Sequence, residues 1–251
     1  MRAIIRVLTL VLVVQLMVIM VTGCQTGRKN LSGKNILAAD DWASNQAMMK
    51  AAEKSGNLEV ALAAGARELL VRPNNREARI FLAKIQTRAG LLEQALFTLE
   101  PLQQDNTTEV KLEQARVLLA QGQTESALSI IDEALTRKLE LDSSRTARKL
   151  KAIGEDQSGR HPAAQAIYSQ LLIELDEPTV RHNYAQSLLA TKNYQQAVTV
   201  LKPLLDLPQF SRSRLVAAAA LVKANDRQGA RDLMEGHLPE AEINRLLRGK
   251  K

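Results

Sequence analysis

The chain is poor in the residues that build reactive or disulfide-bonded proteins. One cysteine, Cys24, stands in 251 residues, which excludes an intramolecular disulfide and an all-cysteine zinc site. The three histidines, His161, His182 and His237, show none of the His-x-x-x-His or Cys/His spacings that hold a metal. One tryptophan, three tyrosines and three phenylalanines are few for a compact enzyme core or an all-β sandwich, both of which lean on large rings and β-branched side chains. There is no Gly-rich phosphate loop and no Gly-x-Ser-x-Gly, so the sequence calls for no enzyme, no cofactor and no small-molecule substrate. Seven prolines and twelve glycines are too few for a low-complexity or collagen-like chain, and 45% hydrophobic residues are too many for wholesale disorder. Alanine and leucine dominate what remains, and they favour helices.

The first 24 residues read as an export signal. Arg2 and Arg6 precede an almost unbroken apolar run from Val7 to Met20, which closes on Val21-Thr22-Gly23-Cys24. The run is shorter than the roughly 20 apolar residues of a membrane-spanning helix and ends in small residues. Val-Thr-Gly-Cys resembles the lipobox of bacterial lipoproteins. That resemblance implies removal of residues 1–23 and acylation of Cys24 on its sulfur and its amine, with attachment to the membrane through the acyl chains. Several buried chains at about 0.8 kcal/mol per methylene hold a protein stably. Gln25 follows the cysteine in place of the aspartate that retains lipoproteins in the inner membrane, so the resemblance implies the periplasmic face of the outer membrane. Losing Arg2 and Arg6 lowers the formal net charge from +7 to +5. Residues 24–41 are polar and read as a flexible tether.

From residue 42 onward the chain repeats itself. Gly-x4-Ala occurs at Gly56/Ala61, Gly90/Ala95, Gly122/Ala127 and Gly159/Ala164, and Ala197 and Ala230 follow turns at Lys192-Asn193 and Asn225-Asp226. Successive alanines are 34, 32, 37, 33 and 33 residues apart, the period of tetratricopeptide repeats. Twelve residues before each anchor lies a small or slim side chain (Met49, Ala83, Ala115, Ala152, Ala185, Ala218). Four residues after it lies a large apolar one (Leu99, Ile131, Tyr168, Leu201, Met234), with Gly65 the exception. These positions predict an all-α, right-handed α-solenoid of six helix-turn-helix repeats over residues 42–237, closed by a capping helix within 238–251. Ile243, Leu246 and Leu247 are expected to cover the end of the stack. Gly65 and Glu68 imply a loosely packed first repeat, and Leu139–Ser144 a longer loop that accounts for the 37-residue gap and a seam there. The acids Asp40, Asp41, Glu174, Asp176 and Glu177 are expected to cap helix starts.

The basic excess does not read as nucleic-acid binding, because no Lys/Arg run exceeds two residues and stacking aromatics are scarce. The position of the cations is more informative. Eleven residues before the anchors stand Lys50, Lys84 and Arg116, then Ile153, Gln186 and Ala219; four residues earlier stand Gln46, Ile80, Leu112, Lys149, His182 and Leu215. One reading is a solvated helix face. The other is a groove, basic in its first half and more apolar towards its end, that takes an extended or helical peptide of acidic character.

An acylated cysteine ahead of six such repeats resembles the pilus-assembly lipoproteins. Arg181-His182-Asn183-Tyr184-Ala185, continuing through Tyr194-Gln195-Gln196-Ala197-Val198 to Val200-Leu201-Lys202-Pro203-Leu204-Leu205, is similar to the pattern R-x-N-(LY)-(GA)…A-(IV)…V-L-x-P-L of the TadD family of Flp (tight-adherence) pilus assembly. Gly229-Ala230-Arg231 followed by Leu238-Pro239-Glu240-Ala241-Glu242-Ile243 is similar to that family's ending. Pro101 and Pro203 share one repeat position and are expected to bend the second helix or end it early. The resemblance implies a scaffold or pilotin-like factor whose partners are the outer-membrane secretin or its accessory proteins. A type IV pilus pilotin and a tetratricopeptide lipoprotein that regulates cell-wall enzymes share the same general features.

Overall fold

The computed structural model describes residues 42–248; the leader, Cys24, the tether and the last three residues lie outside them. Among the described residues, Trp42–Met48 fall outside the compact unit that starts at Met49, and the packing below is that of this unit. The described residues form thirteen α-helices and no strand. Six pairs follow one another: α1 (Trp42–Ser55) and α2 (Leu58–Val71), α3 (Arg76–Arg88) and α4 (Leu92–Leu99), α5 (Thr108–Ala120) and α6 (Thr124–Leu135), α7 (Leu141–Gln157) and α8 (His161–Glu174), α9 (Pro178–Ala190) and α10 (Tyr194–Leu201), α11 (Ser211–Lys223) and α12 (Arg227–Met234). A last helix, α13, runs over Glu240–Arg248.

Each pair is joined by the same turn. In the first, Gly56 takes a φ of 74° and its N–H donates to the Glu53 carbonyl, while the next N–H, of Asn57, reaches back to Ala52 at 3.0 Å. This left-handed cap satisfies carbonyls at the end of the first helix. Gly90, Gly122 and Gly159 repeat it, and Asn225 does so with a φ of 65°. In the fifth repeat the left-handed residue is Lys192, at 64°, and not its neighbour Asn193. A side chain in that conformation costs about 1–2 kcal/mol, partly offset in glycine by its greater freedom when unfolded. Lys192→Gly is therefore expected to stabilise the protein by about 1 kcal/mol, read as a rise in melting temperature. A fall would show that Lys192 makes a compensating contact.

The anchor alanines Ala61, Ala95, Ala127, Ala164, Ala197 and Ala230 all have 0% exposure. Met49, Ala83, Ala115, Ala152, Ala185 and Ala218 are buried opposite them, and Leu99, Ile131, Tyr168, Leu201 and Met234 fill the space between repeats. Small residues permit the close approach and the large neighbour restores packing density. Apolar clusters succeed one another along the stack, as expected where each repeat meets only its neighbours.

Two expectations are corrected. The first repeat is not loose: a Cβ on Gly65 would lie 3.3 Å from Leu82 Cβ, so the glycine is where α3 approaches, and Glu68, fully buried, accepts from Arg72 at 2.8 and 3.0 Å and from Asn75 at 2.9 Å. The 37-residue gap is not a longer loop either. Ser143 and Ser144 lie within α7, which has 17 residues against 13 in α3, α5, α9 and α11. No seam opens there, since Ala127 and Ile131 on one side and Ala147 and Leu150 on the other share one cluster.

A further regularity escapes the sequence pattern. Sixteen residues before five of the anchors stands a cation on a first helix, Arg79, Lys111, Arg148, Arg181 or Arg214. Lys111 and Arg148 reach carboxylates near the end of the paired second helix, Glu133 and Glu174, and hold both below the ordinary carboxylate range. Arg79 and Arg181 instead donate to carbonyls, of Thr98 at 3.3 Å and Val200 at 2.8 Å. These oxygens lie three residues before Pro101 and Pro203, where the ring nitrogen has no proton to offer. Both prolines sit in 3₁₀ turns, Glu100–Asp105 and Lys202–Leu204, that follow second helices of only eight residues. The arginine thus supplies the donor that the proline removes. The acids near these helix ends serve the same contacts: Glu174 pairs with Arg148, Asp176 with Arg181 and Glu177 with Lys149, and Glu177 makes no side-chain cap at α9.

Candidate protein-binding groove

First helices of neighbouring repeats touch one another, α3 with α5, α5 with α7, α7 with α9 and α9 with α11, whereas neighbouring second helices meet less. The stack therefore curves with its first helices on the inner side, which makes their free face a groove. Lys50, Lys84, Arg116, Lys149, His182 and Gln186 stand on five of these helices. Lys50 is exposed and makes no ion pair among the described residues. Lys84 Nζ lies 2.8 Å from Glu53 Oε1, which Arg88 also approaches at 3.2 Å. Arg116 Nε lies 2.9 Å from Glu113 Oε2, and Lys149 Nζ 2.8 Å from Glu177 Oε2. Three of the four cations thus carry a carboxylate of their own, which weakens the field an acidic ligand meets. Ile80 and Leu112, which share the register of Lys149 and His182, are buried in the core and do not line the groove.

Farther along, Ile153, Asn183, Gln186 and Ala190 border a cleft of about 400 Å³ whose wall includes Asp156, His161, Tyr168 and Ser187. Ser187 Oγ donates to Asp156 Oδ1 at 2.6 Å, His161 Nδ1 meets the same oxygen at 2.9 Å, and the Tyr168 hydroxyl also turns to Asp156. Burial and then the Asp156 charge push the Tyr168 hydroxyl above its ordinary range. Serine and histidine converge on the acid instead of forming a relay from hydroxyl to imidazole to carboxylate, so the cluster orders the wall and does not generate a nucleophile. Sequence reasoning missed Asp156 and Ser187; the signal was Asp156 five residues before His161 across the Gly159 turn. His182 Nδ1 lies 3.1 Å from Ser213 Oγ, and burial followed by the Arg212 charge lowers its pKa.

The groove ends in an apolar cleft of about 540 Å³ between α11, α12 and α13, lined by Leu215, Ala218, Ala219, Val222, Met234 and Leu246, with Lys223 and Glu242 at its edge. The expected cap is only partly realised. Ile243 and Leu247 are buried, but Leu246 is 38% exposed and faces the cleft.

A tetratricopeptide-repeat family model matches residues 109–133, which take in most of α5 and of α6. No curated protein matches the chain. Among solved structures, a thermophilic tetratricopeptide protein of Thermus thermophilus superposes with a TM-score of 0.62 at 20% identity, covering 72% of this chain and 98% of its own. PilW, described as a widely conserved type IV pilus biogenesis factor, gives 0.66 at 14% identity over 83% of this chain and 100% of its own. A putative kinesin light chain of Podospora anserina with nearly identical tetratricopeptide-like repeats gives 0.53 at 20% identity over 68% and 93%.

The fold is a tetratricopeptide-repeat solenoid. Such stacks offer extended concave surfaces to protein partners, and the matches point to no catalytic family. Among the described residues no three His, Cys, Asp or Glu side chains gather as a metal site, and no helix is long and apolar enough to cross a membrane.

Proposed function

We propose that this tetratricopeptide protein is a lipid-anchored scaffold on the periplasmic face of the outer membrane that serves Flp (tight-adherence) pilus assembly in a pilotin-like way, holding the secretin or one of its accessory proteins. The reading rests above all on the segment from Arg181 to Ile243, where the residues that resemble the TadD pattern act together. Arg181 serves the carbonyl ahead of Pro203, Tyr184 receives a hydrogen bond from Gln196, and Ala185 and Ala197 are both fully buried. The lipobox ending in Cys24 supports the anchor, and the fold shared with PilW supports a place in pilus biogenesis. The partner segment lies along the first helices, where Lys50, Lys84 and Arg116 favour acidic side chains that compete with Glu53 and Glu113.

Deleting the gene is expected to abolish surface pili while pilin synthesis continues, with secretin multimers fewer or misplaced. Cys24→Ser is expected to keep the fold and lose membrane association. Normal piliation in the deletion strain would overturn the pilus reading, and a Ser variant that still fractionates with the outer membrane would overturn the anchor. Neutralising Lys50, Lys84 and Arg116 to glutamine tests the groove separately: secretin co-purification should weaken and lose part of its salt sensitivity. Glutamine is the better choice because glutamate would face Glu53 and Glu113 and add repulsion within the fold.

A further inference from the structure

The apolar cleft at the end of the array has a charge pattern of its own. On α11, Arg212, Leu215, Ala219, Val222 and Lys223 fall at i, i+3, i+7, i+10 and i+11, one face of a helix. Arg212 and Lys223 are exposed and make no ion pair among the described residues. Their Cα atoms are about 16 Å apart at 1.5 Å per residue, with the apolar floor between them. Arg212 stands three residues before Leu215, on the helix face that borders the cleft. The one acid at the edge, Glu242, is already held by Arg245 at 3.3 Å. Leu215 and Leu246 stand 41% and 38% exposed across the cleft from one another, with Met234 beneath.

We propose that this cleft is the docking site of an amphipathic, acid-flanked helix of a partner protein, whose large apolar side chains seat between Leu215, Met234 and Leu246. A volume of about 540 Å³ in one patch takes two or three neighbouring side chains. A helix delivers these from i, i+3 and i+4, whereas an extended strand turns every second one away. Acidic residues about three turns apart on that helix meet Arg212 and Lys223. The proposal rests on the protein-binding reading of the groove and names what its apolar end recognises.

The test uses two synthetic probes on the lipid-free full-length chain: a fluorescein-labelled helical peptide with leucine at i, i+3, i+4 and i+7 and glutamates at both ends, and the same peptide with lysines in place of the glutamates. The glutamate peptide is expected to bind, to weaken at least about 10-fold with Leu246→Glu and with the pair Arg212→Glu/Lys223→Glu, and to lose affinity as salt rises. Far-UV circular dichroism checks that the variants keep their helical content, and Leu246→Ala, which cannot repel the peptide, serves as the mild apolar control with a smaller loss. Equal binding of the two peptides, or wild-type binding by Leu246→Glu, overturns the proposal. So does sedimentation showing a dimer of this chain that Leu246→Glu dissolves, because the occupant is then a second copy. These outcomes are read without pili, so failure here leaves the deletion phenotype to judge the pilus reading separately.

Discussion

Truncating Tyr168 to alanine is expected to destabilise the protein by about 3–5 kcal/mol, the range for emptying a large buried aromatic site. Tyr168 is 1% exposed, the largest fully buried side chain among the described residues, with its ring centroid 6.1 Å from that of Tyr184. It sits at the position four residues after an anchor alanine, and its cluster reaches from Ala152 to Ala220, so the cavity opens between repeats. Tyr168→Phe separates packing from polarity. It keeps the ring and leaves Asp156 with Ser187 and His161 as donors, at an expected cost of about 1 kcal/mol. Thermal denaturation followed by far-UV circular dichroism reads both. A phenylalanine variant as unstable as the alanine variant would mean that the hydrogen-bonded wall, not the ring, holds the fourth and fifth repeats together.

Filling a close-approach position is expected to have the next largest effect. Ala127 has 0% exposure and packs in one cluster with Leu112, Ala115, Ile131, Ala147 and Leu150. Ala127→Leu forces this cluster apart, at about 1–3 kcal/mol for overpacking. Lys84→Ala, on the groove face, is expected to stay within about 0.5 kcal/mol, because Glu53 keeps Arg88. Gly65→Leu gives the first repeat the large side chain that the other five have at this position, yet it is expected to destabilise comparably, since Leu82 already occupies that space. Equal melting temperatures for the Ala127 and Lys84 variants would show that the helix pairs do not pack as described, and a stabilised Gly65 variant would show a void where α2 and α3 meet.

The contrast between Ala127 and Gly65 marks the boundary between what was legible and what was not. The period of about 34 residues, the small anchors and the turn glycines fixed the fold class, because each is a local demand repeated along the chain: a close contact needs a small residue, and a left-handed turn favours glycine. Pro101 and Pro203 likewise announced the early ends of α4 and α10. Deviations from the pattern are explained by residues that lie outside the repeat register. Gly65 leaves room for Leu82 of α3, and Glu68 is held by Arg72 and Asn75 at the turn after α2. The extra residues before Ala164 lengthened α7 because a helix continued against an existing core is favoured over a longer loop. Single-sequence reading found the register of Lys50, Lys84 and Arg116, since that needs only helical periodicity. The pairing of Lys84 with Glu53, the arginines that answer the proline carbonyls, and the exposed Leu246 facing Leu215 are relations between helices. Only tertiary packing decides these, because electrostatic pairing and burial depend on distance in space and not on separation along the chain.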